Sequence, residues 1–222
     1  MIKSIIDYNN FSLTQIQAEN AESVPVAEGK GYYRIEIPSN KSNVNVLFKK
    51  GYTFVERTLG VSINLNKSDI DYQKLIRFEI KQIQANNEDI LKIALDSFPT
   101  DRRFHVQLDY NDSISATIIT VWVSKLSEVY ACIYKDQIIG FVDIEPYNGK
   151  DCFIHLAAVQ KEYRATGAAV ALYSYAILKA KEKGCSKIYG RISSANVAVM
   201  NLYTRLGGFF SDPIDVFLRN EK

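Results

Sequence analysis

The stretch VQKEYRATGAAVALY, residues 159–173, joins a predicted buried strand to a long predicted helix. The strand is CFIHLAAV, residues 152–159, whose continuous apolar character is typical of a strand buried on both faces. The helical pattern extends from Gly167 to Lys183 and can end at Gly184. Small residues at the turn let a ligand approach the backbone, and the first N–H groups of the helix have no partner within it. The stretch therefore predicts an anion site that suits a pyrophosphate.

The turn itself has the pattern R-x-x-G-x-A, with Arg164, Gly167 and Ala169 at the fixed positions. It lacks the G-K-[S/T] ending of a P-loop, and it lacks the G-x-G-x-x-G of a dinucleotide-binding turn. On this pattern alone, an ordinary tight turn between a strand and a helix is the alternative.

A second fragment, NVAVMNLYTRLGGF at residues 196–209, follows the next predicted strand, residues 187–192. Asn196 and Tyr203 are seven residues apart, which is about two helical turns. We therefore expect both side chains on one face of a short helix over residues 197–206.

Together the two fragments resemble the motifs of the GNAT N-acetyltransferase superfamily. These motifs are [QR]-x-x-G-x-[GA] after the fourth strand and N-x-x-[AV]-x-x-x-Y-x-x-x-G after the fifth. Residues 164–169 and 196–207 match them, and Val159 precedes Arg164 by five residues as in the family. The resemblance covers residues 77–219. The family usually has one glycine at the end of the second motif, whereas this chain has two.

The resemblance implies acetyl-CoA as cosubstrate and no metal. Its pantetheine arm would lie between splayed strands four and five, and its pyrophosphate would lie on the R-x-x-G-x-A loop. The residues implied to bind it are Ala157, Ala158, Val159, Arg164, Ala165, Thr166, Gly167, Ala168, Ala169, Asn196 and Tyr203. Backbone N–H groups of strand four can also polarise the acetyl carbonyl.

Tyr203 holds the place of the family's general acid, which protonates the leaving thiolate. The chemistry agrees, because a phenol of pKa ~10 can give a proton to a thiolate of similar basicity. An ordinary core tyrosine on an amphipathic helix is the alternative.

The general base has two candidates. An alkyl amine of pKa ~10 is almost entirely protonated at pH 7, so a group must take its proton. His155 is on predicted strand four, where residues 155, 157 and 159 are expected to share one face, and an arylalkylamine branch of the superfamily uses a histidine at a similar place. Glu145, at the end of the preceding strand, is the other candidate. A core histidine, a solvated glutamate and a chain of water molecules are the alternatives.

The acceptor is predicted from a looser resemblance to the TDP-fucosamine acetyltransferases, which acetylate the 4-amino group of a TDP-linked amino sugar. Arg102 and Arg103 are predicted to bind the phosphates of the nucleotide, because arginine forks match phosphate oxygens; a solvated basic turn is the alternative. Arg191 stands where N-terminal protein acetylases often have a glutamate, which argues against that substrate class. Another small amine, such as a polyamine or an antibiotic, and a non-catalytic acyl-CoA-binding regulator stay open.

Composition is that of an ordinary globular protein. The 222 residues include 27 Lys and Arg against 25 Asp and Glu, so the net charge is +2. This low charge argues against a nucleic-acid partner. No apolar run reaches the ~20 residues of a membrane span and no signal peptide is recognised, so we expect a cytoplasmic protein without a membrane partner, and we leave a homodimer open. Three widely spaced cysteines predict neither a zinc site nor a disulfide framework.

The order of predicted elements after residue 77 is β-α-α-β-β-β-α-β-α-β. It predicts an α/β (α+β) fold with a mixed central sheet flanked by helices, as in the GNAT acyltransferases. Residues 1–70 are predicted to form a small N-terminal α/β domain, and residues 71–222 the acetyltransferase domain. A faint echo between residues 46–52 and 201–208 suggests that the smaller domain is a partial GNAT half without a second CoA loop.

Overall fold

The computed structural model describes residues 1–8, 11–27, 29–67, 77–98 and 112–221. Its strands are β1 (Ile2–Tyr8), β2 (Phe11–Gln17), β3 (Gly31–Pro38), β4 (Thr53–Asn64), β5 (Glu79–Ile83), β6 (Glu128–Tyr134), β7 (Gln137–Tyr147), β8 (Asp151–Val159), β9 (Lys187–Ser193) and β10 (Gly208–Glu221). Its α-helices are α1 (Val44–Lys49), α2 (Glu88–Ser97), α3 (Asp112–Ser124), α4 (Ala168–Glu182) and α5 (Val197–Arg205).

All of these strands belong to one mixed sheet, in the order β1-β2-β3-β10-β4-β9-β8-β7-β6-β5. The pairs β2–β3 and β8–β9 are parallel and the others antiparallel. The β8–β9 connection is the helix α4, as a parallel crossover requires. Strand β10 lies between β3 and β4 and so joins the N-terminal strands to the rest of the sheet. The predicted boundary at residue 70 lies outside the described residues, and the division into two domains stays a prediction.

Helices cover both faces of the sheet, which confirms the predicted architecture. Helix α4 and part of α5 pack on one face over a core that includes Val61, Ile63, Val142, Ile144, Leu172, Ala176 and Ile177. Helices α2 and α3 pack on the other face over a core that includes Ile90, Ile93, Ile119, Val123, Phe141 and Leu156. A smaller core under α1 includes Ile35, Ile37, Leu47, Tyr52 and Phe217.

Local sequence explains where the main elements begin and end. The β6–β7 hairpin turns at Lys135 and Asp136, whose φ angles of 49° and 61° are those of a two-residue turn matched to strand twist. Asn87 caps α2 by accepting a hydrogen bond from the N–H of Asp89. Gly184, with φ of 76°, ends α4. None of the described helices is long and apolar enough to cross a membrane.

Candidate active site

The cleft of the molecule opens where β8 and β9 separate. The two strands pair at only three positions, which are Cys152 with Ile188, Phe153 with Tyr189, and Ile154 with Gly190. Strand β8 continues to Val159 and β9 to Ser193 without further pairing between them. The edges of β8 and β9 that face each other therefore border a gap, while β7 and β4 pair with their other edges.

A cavity of about 730 Å³ lies in this gap. It is lined by the diverging ends of β8 and β9, the start of α4, and α5. The predicted site residues on its wall are His155, Ala157, Ala158, Val159, Arg164, Ala169, Asn196 and Tyr203. Ala165, Thr166, Gly167 and Ala168 belong to the adjoining loop but do not line the cavity. Arg102 and Arg103 lie outside the described residues, so their predicted role stays a prediction.

The loop before α4 is held in place by its own side chains. The Arg164 Nε donates to the carbonyl of Val159 at 3.1 Å, which ties the loop to the last residue of β8. The Thr166 hydroxyl donates to the carbonyl of Tyr163 at 2.7 Å. Gly167 has φ of 93°, a conformation that favours glycine, and no atom lies within 4 Å of the position that its Cβ would occupy.

This loop presents backbone donors to a ligand. Among the described residues, the N–H groups of Gly167, Ala168 and Ala169 have no acceptor. They lie at the positive end of the 15-residue helix α4, where an anion is stabilised by both the free donors and the helix dipole. The loop therefore offers the free donors and the helix dipole that would stabilise an anionic group such as a pyrophosphate.

Tyr203 lies on α5 with its hydroxyl at the point where the strands separate. The side chain is only 2% exposed, and its ring packs edge-on against Tyr173 with the ring centroids 5.2 Å apart. Burial raises the pKa of Tyr203 well above its usual 10, and a hydrogen bond with Tyr173 raises it further. The phenol is therefore protonated at neutral pH, and Tyr203 lies on the cavity wall together with Tyr173.

Asn196 is the N-cap of α5. Its side-chain oxygen accepts a hydrogen bond of 3.2 Å from the N–H of Val199. This bond fixes the orientation of the amide at the rim of the cavity, and it explains why an asparagine at this position both starts the helix and reaches the cleft.

The two candidate bases contact each other. His155 Nδ1 lies 3.4 Å from Glu145 Oε1, and the two side chains are 40% and 38% exposed. The His155 ring packs edge-on against Trp122 of α3 with the centroids 5.9 Å apart. Only His155 lines the cavity. The structure thus brings both candidates to the α3 side of the sheet.

The expectation that residues 155, 157 and 159 share one face is wrong. The β7–β8 register shifts between Val142 and Ile144, which is a β-bulge, and the alternation of β8 changes at His155. Val159 and Ala157 pack in the core under α4. His155 instead faces the α2–α3 side, because two residues of one strand oppose a single residue of its partner at a bulge.

Sequence reasoning missed Asp143, a fully buried carboxylate on β7 beside the bulge. Its Oδ1 accepts hydrogen bonds of 3.0 Å from the N–H groups of Ser127 and Glu128, whereas its Oδ2 has no partner among the described residues. Burial raises the pKa of Asp143 to about 6, and the nearby His155 opposes the rise. The signal in the sequence was a single charge within the apolar run QIIGFVDI.

Sequence reasoning also missed an aromatic row that crosses β7, β8 and β9 on the α3 side, consisting of Trp122, His155, Phe153, Tyr147 and Tyr189. Beyond the Trp122–His155 contact, the centroid distances are 6.4 Å for Phe153–His155, 5.5 Å for Tyr147–Phe153 and 5.1 Å for Tyr147–Tyr189. Such a row offers flat apolar faces to a sugar or a base.

Arg191, two residues beyond Tyr189 on β9, lines the cavity on the opposite strand from His155. Its Nη1 donates to the Thr58 hydroxyl and to the backbone carbonyl of Asp212, both at 3.1 Å. Burial lowers the pKa of Arg191, which nevertheless keeps its charge at neutral pH. In the described ranges, no group of three or more His, Cys, Asp or Glu residues could hold a metal ion.

Comparison with known proteins agrees with this geometry. The sequence profile of the acetyltransferase (GNAT) family matches residues 87–209. No curated protein sequence matches the chain.

Solved structures share the fold at low sequence identity. A functionally unknown conserved protein from Staphylococcus epidermidis has a TM-score of 0.63 and 17% identity, over 86% of this chain and 73% of that one. A tandem GNAT protein from the clavulanic acid biosynthesis pathway has a TM-score of 0.54 and 10% identity, over 85% of this chain and 64% of that one. The glucosamine N-acetyltransferase region of a fungal multi-domain β-N-acetylglucosaminidase has a TM-score of 0.64 and 11% identity, over 97% of this chain and 31% of that one. The chain spans less than two thirds of the last two proteins.

Proposed function

Since the chain belongs to the GNAT acetyltransferase family, we propose that it transfers the acetyl group of acetyl-CoA to a primary amine in the cleft between β8 and β9. The observation that carries the proposal is the meeting of three features at one cavity. They are the free N–H groups at the start of α4, of which that of Ala169 is on the cavity wall, the edges of β8 and β9 that separate from each other, and the buried hydroxyl of Tyr203.

Each feature has a role in this reaction. The donors at Gly167, Ala168 and Ala169 hold the pyrophosphate. The edge of β8 between Ala157 and Val159 that faces the gap orients the pantetheine arm, and an N–H group on this edge polarises the acetyl carbonyl. Acetyl-CoA supplies a thioester whose carbonyl carbon an amine can attack.

Tyr203 stabilises the leaving sulfur by donating a hydrogen bond. A thiolate of pKa ~8.5 is too weak a base to take the proton fully from a phenol whose pKa burial has raised above 10. The proton therefore stays mainly on Tyr203 while the charge develops. The bond is strong because the phenol is buried and its partner charged.

His155 and Glu145 are the groups proposed to take the proton from the attacking amine. Their contact at 3.4 Å lets the carboxylate stabilise the imidazolium that forms on His155. Because Glu145 itself does not line the cavity, His155 is the member of the pair that meets the substrate. Asn196 completes the site by holding the CoA arm at the start of α5.

For the acceptor we propose the 4-amino group of a TDP-linked amino sugar. His155, the member of the aromatic row that lines the cavity, gives the sugar or base a flat face to pack against, and Arg191 brings positive charge to the cavity wall. The fold also serves an amino-sugar acetyltransferase region in the fungal relative. A polyamine is disfavoured, since Arg191 would repel a second ammonium group.

The proposal is tested by measuring release of CoA from acetyl-CoA with a panel of amines. TDP-4-amino-4,6-dideoxygalactose, glucosamine and spermidine cover the alternatives. Turnover of the nucleotide sugar at the highest kcat/KM supports the proposal. Preference for spermidine contradicts the acceptor assignment and leaves the acetyltransferase intact. CoA binding without turnover of any amine indicates a non-catalytic acyl-CoA-binding protein.

A further inference from the structure

We propose that Arg191 binds an anionic group of the acceptor, so that the natural acceptor is an amine that also carries a phosphate or a carboxylate. This inference rests on the proposed function and adds the residue that selects the acceptor.

Arg191 is at the position where β9 separates from β8. It directly follows Gly190, the last residue of β9 that pairs with β8, and it lines the cavity. On its other side β9 pairs with β4, where Arg191 faces Gly60. A Cβ at Gly60 would lie 3.4 Å from Arg191 Nη2, so the glycine leaves room for the guanidinium against the sheet.

The charge of Arg191 has no close counter-ion in the described part of the chain. Both of its hydrogen bonds use Nη1 and go to neutral oxygens of Thr58 and Asp212. Glu36 and the Asp212 carboxylate act on it only at longer range.

Each of those two carboxylates is already bound elsewhere. Arg34 Nε and Nη2 contact Glu36 Oε1 at 3.1 Å and 3.0 Å. The hydroxyl of Ser211 donates to Asp212 Oδ2 at 2.7 Å. Arg191 is therefore a partly desolvated cation with free donors beside a cavity. Its desolvation costs free energy, which binding of an anion would offset.

The opposite wall of the split takes the other end of the ligand. His155 follows Ile154 just as Arg191 follows Gly190, so the two side chains flank the same last pair of residues. Paired strands lie ~4.8 Å apart, and the gap widens from there. The guanidinium of Arg191 contacts Thr58 of β4 and the carbonyl of Asp212, so a molecule with its amine at His155 must extend across β9 to place its anion at Arg191. A sugar phosphate, in which the ring separates the amine from the phosphate, and an ω-amino acid, in which an alkyl chain separates the amine from the carboxylate, both meet this requirement.

The experiment uses pairs of amines that differ only in the anion. Glucosamine 6-phosphate is compared with glucosamine, and 6-aminohexanoate with 6-aminohexanamide, by calorimetry on the protein–CoA complex and by acetylation rates. The variant is Arg191→Gln, which keeps a donor for Thr58 and the Asp212 carbonyl. Arg191→Lys restores the charge, and Lys187→Gln, at an exposed position of the same strand, is the matched control.

We expect at least one wild-type anionic amine to bind more tightly than its neutral partner. Arg191→Gln should weaken that amine about 10- to 100-fold and leave the neutral one unchanged. Arg191→Lys should recover part of the loss, and Lys187→Gln should change neither. The proposal is overturned if wild type shows no preference within either pair, or if Arg191→Gln weakens both members equally.

The same data separate this inference from the proposed function. Acetylation of neutral and anionic amines at equal rates would leave the acetyltransferase standing and remove the role of Arg191. Absence of turnover with every amine would contradict the proposed function, while calorimetry would still decide whether Arg191 binds the anion. Circular dichroism of each variant shows whether it folds; if Arg191→Gln does not, Arg191→Lys carries the test by reduced selectivity for the planar carboxylate or phosphate.

Discussion

The hydroxyl of Tyr203 lies against the α-carbon of Gly190, the residue at which β9 leaves β8. A Cβ at position 190 would lie 2.6 Å from that hydroxyl and 3.3 Å from Val61. No side chain fits there, so glycine is required by close approach rather than by its backbone angles. The relationship places the phenolic proton at the base of the split, where the thioester is proposed to lie.

Substitution of Gly190 by alanine should push the Tyr203 ring out of position. We expect a loss of unfolding free energy of about 1–3 kcal/mol from overpacking, together with a lower kcat. Urea denaturation and initial rates of CoA release measure the two effects. The double variant Gly190→Ala/Tyr203→Phe should regain stability, because the clashing oxygen is gone; if it regains none, the clash lies elsewhere.

Removal of the Tyr203 hydroxyl should slow chemistry without disturbing the fold. We expect Tyr203→Phe to lower kcat by about 100-fold, the usual scale for losing a proton donor, with little change in CoA affinity. Tyr175→Phe is the control, since that tyrosine packs against Tyr130 and does not line the cavity. An unchanged kcat, when chemistry limits the rate, would make Tyr203 a core residue only.

Gly167 and Gly149 provide a matched test of the CoA loop. Both have positive φ, of 93° and 70°, and neither has an atom within 4 Å of the position of a Cβ. Alanine at either position should therefore cost a similar unfolding free energy, about 1 kcal/mol. Only Gly167→Ala should weaken CoA binding, because it moves the N–H groups at the start of α4. Calorimetric titration with CoA that gives equal affinity for both variants would remove the loop assignment.

The buried Asp143 should make stability depend on pH. Its pKa is about 6 in the folded protein against 3.8 for the ordinary carboxyl group, so the folded state holds the proton more tightly than the unfolded chain. This contribution is fully present below pH 3.8 and is lost as the pH rises through about 6. Its size is on the order of 3 kcal/mol.

Comparison with Asp143→Asn isolates this effect, because asparagine keeps the Oδ1 acceptor and does not titrate. The free energy of unfolding of wild type relative to the variant should decrease between pH 4 and pH 7. Asp136→Asn, in the exposed hairpin turn, is the control and should show no such trend. Parallel pH profiles for wild type and Asp143→Asn would contradict the burial argument.

The elements between Glu79 and Arg205 were predictable because local signals define them. Caps such as Asn87, the two-residue turn at Lys135 and the glycine after α4 each determine an end without knowledge of the rest of the chain. Strands β1 and β2 were not predicted. They form one end of the sheet, where exposed residues such as Ile2 and Ile5 weaken the alternation of buried and polar positions.

Contacts between strands that are distant along the chain could not be predicted from the sequence. The bulge that turns His155 toward Trp122 depends on the register with β7, which no local pattern specifies. The role proposed for Arg191 was not predictable, because it depends on β4 and on the gap between β8 and β9, which flank this residue. The cysteines were expected to be free thiols, and the structure adds that the sulfur atoms of Cys152 and Cys185 lie 2.9 Å apart, between the start of β8 and the connection from α4 to β9.

The position of β10 has a consequence for how the protein is made. Its residue Phe217 pairs with Ile35 of β3 on one side and Phe54 of β4 on the other. During synthesis β3 and β4 cannot both pair with β10 until residues 208–221 have left the ribosome. Contacts between residues so distant in sequence form slowly. Until they form, the unpaired edges of β3 and β4 can pair with other chains. We therefore expect folding to be completed only after translation of β10.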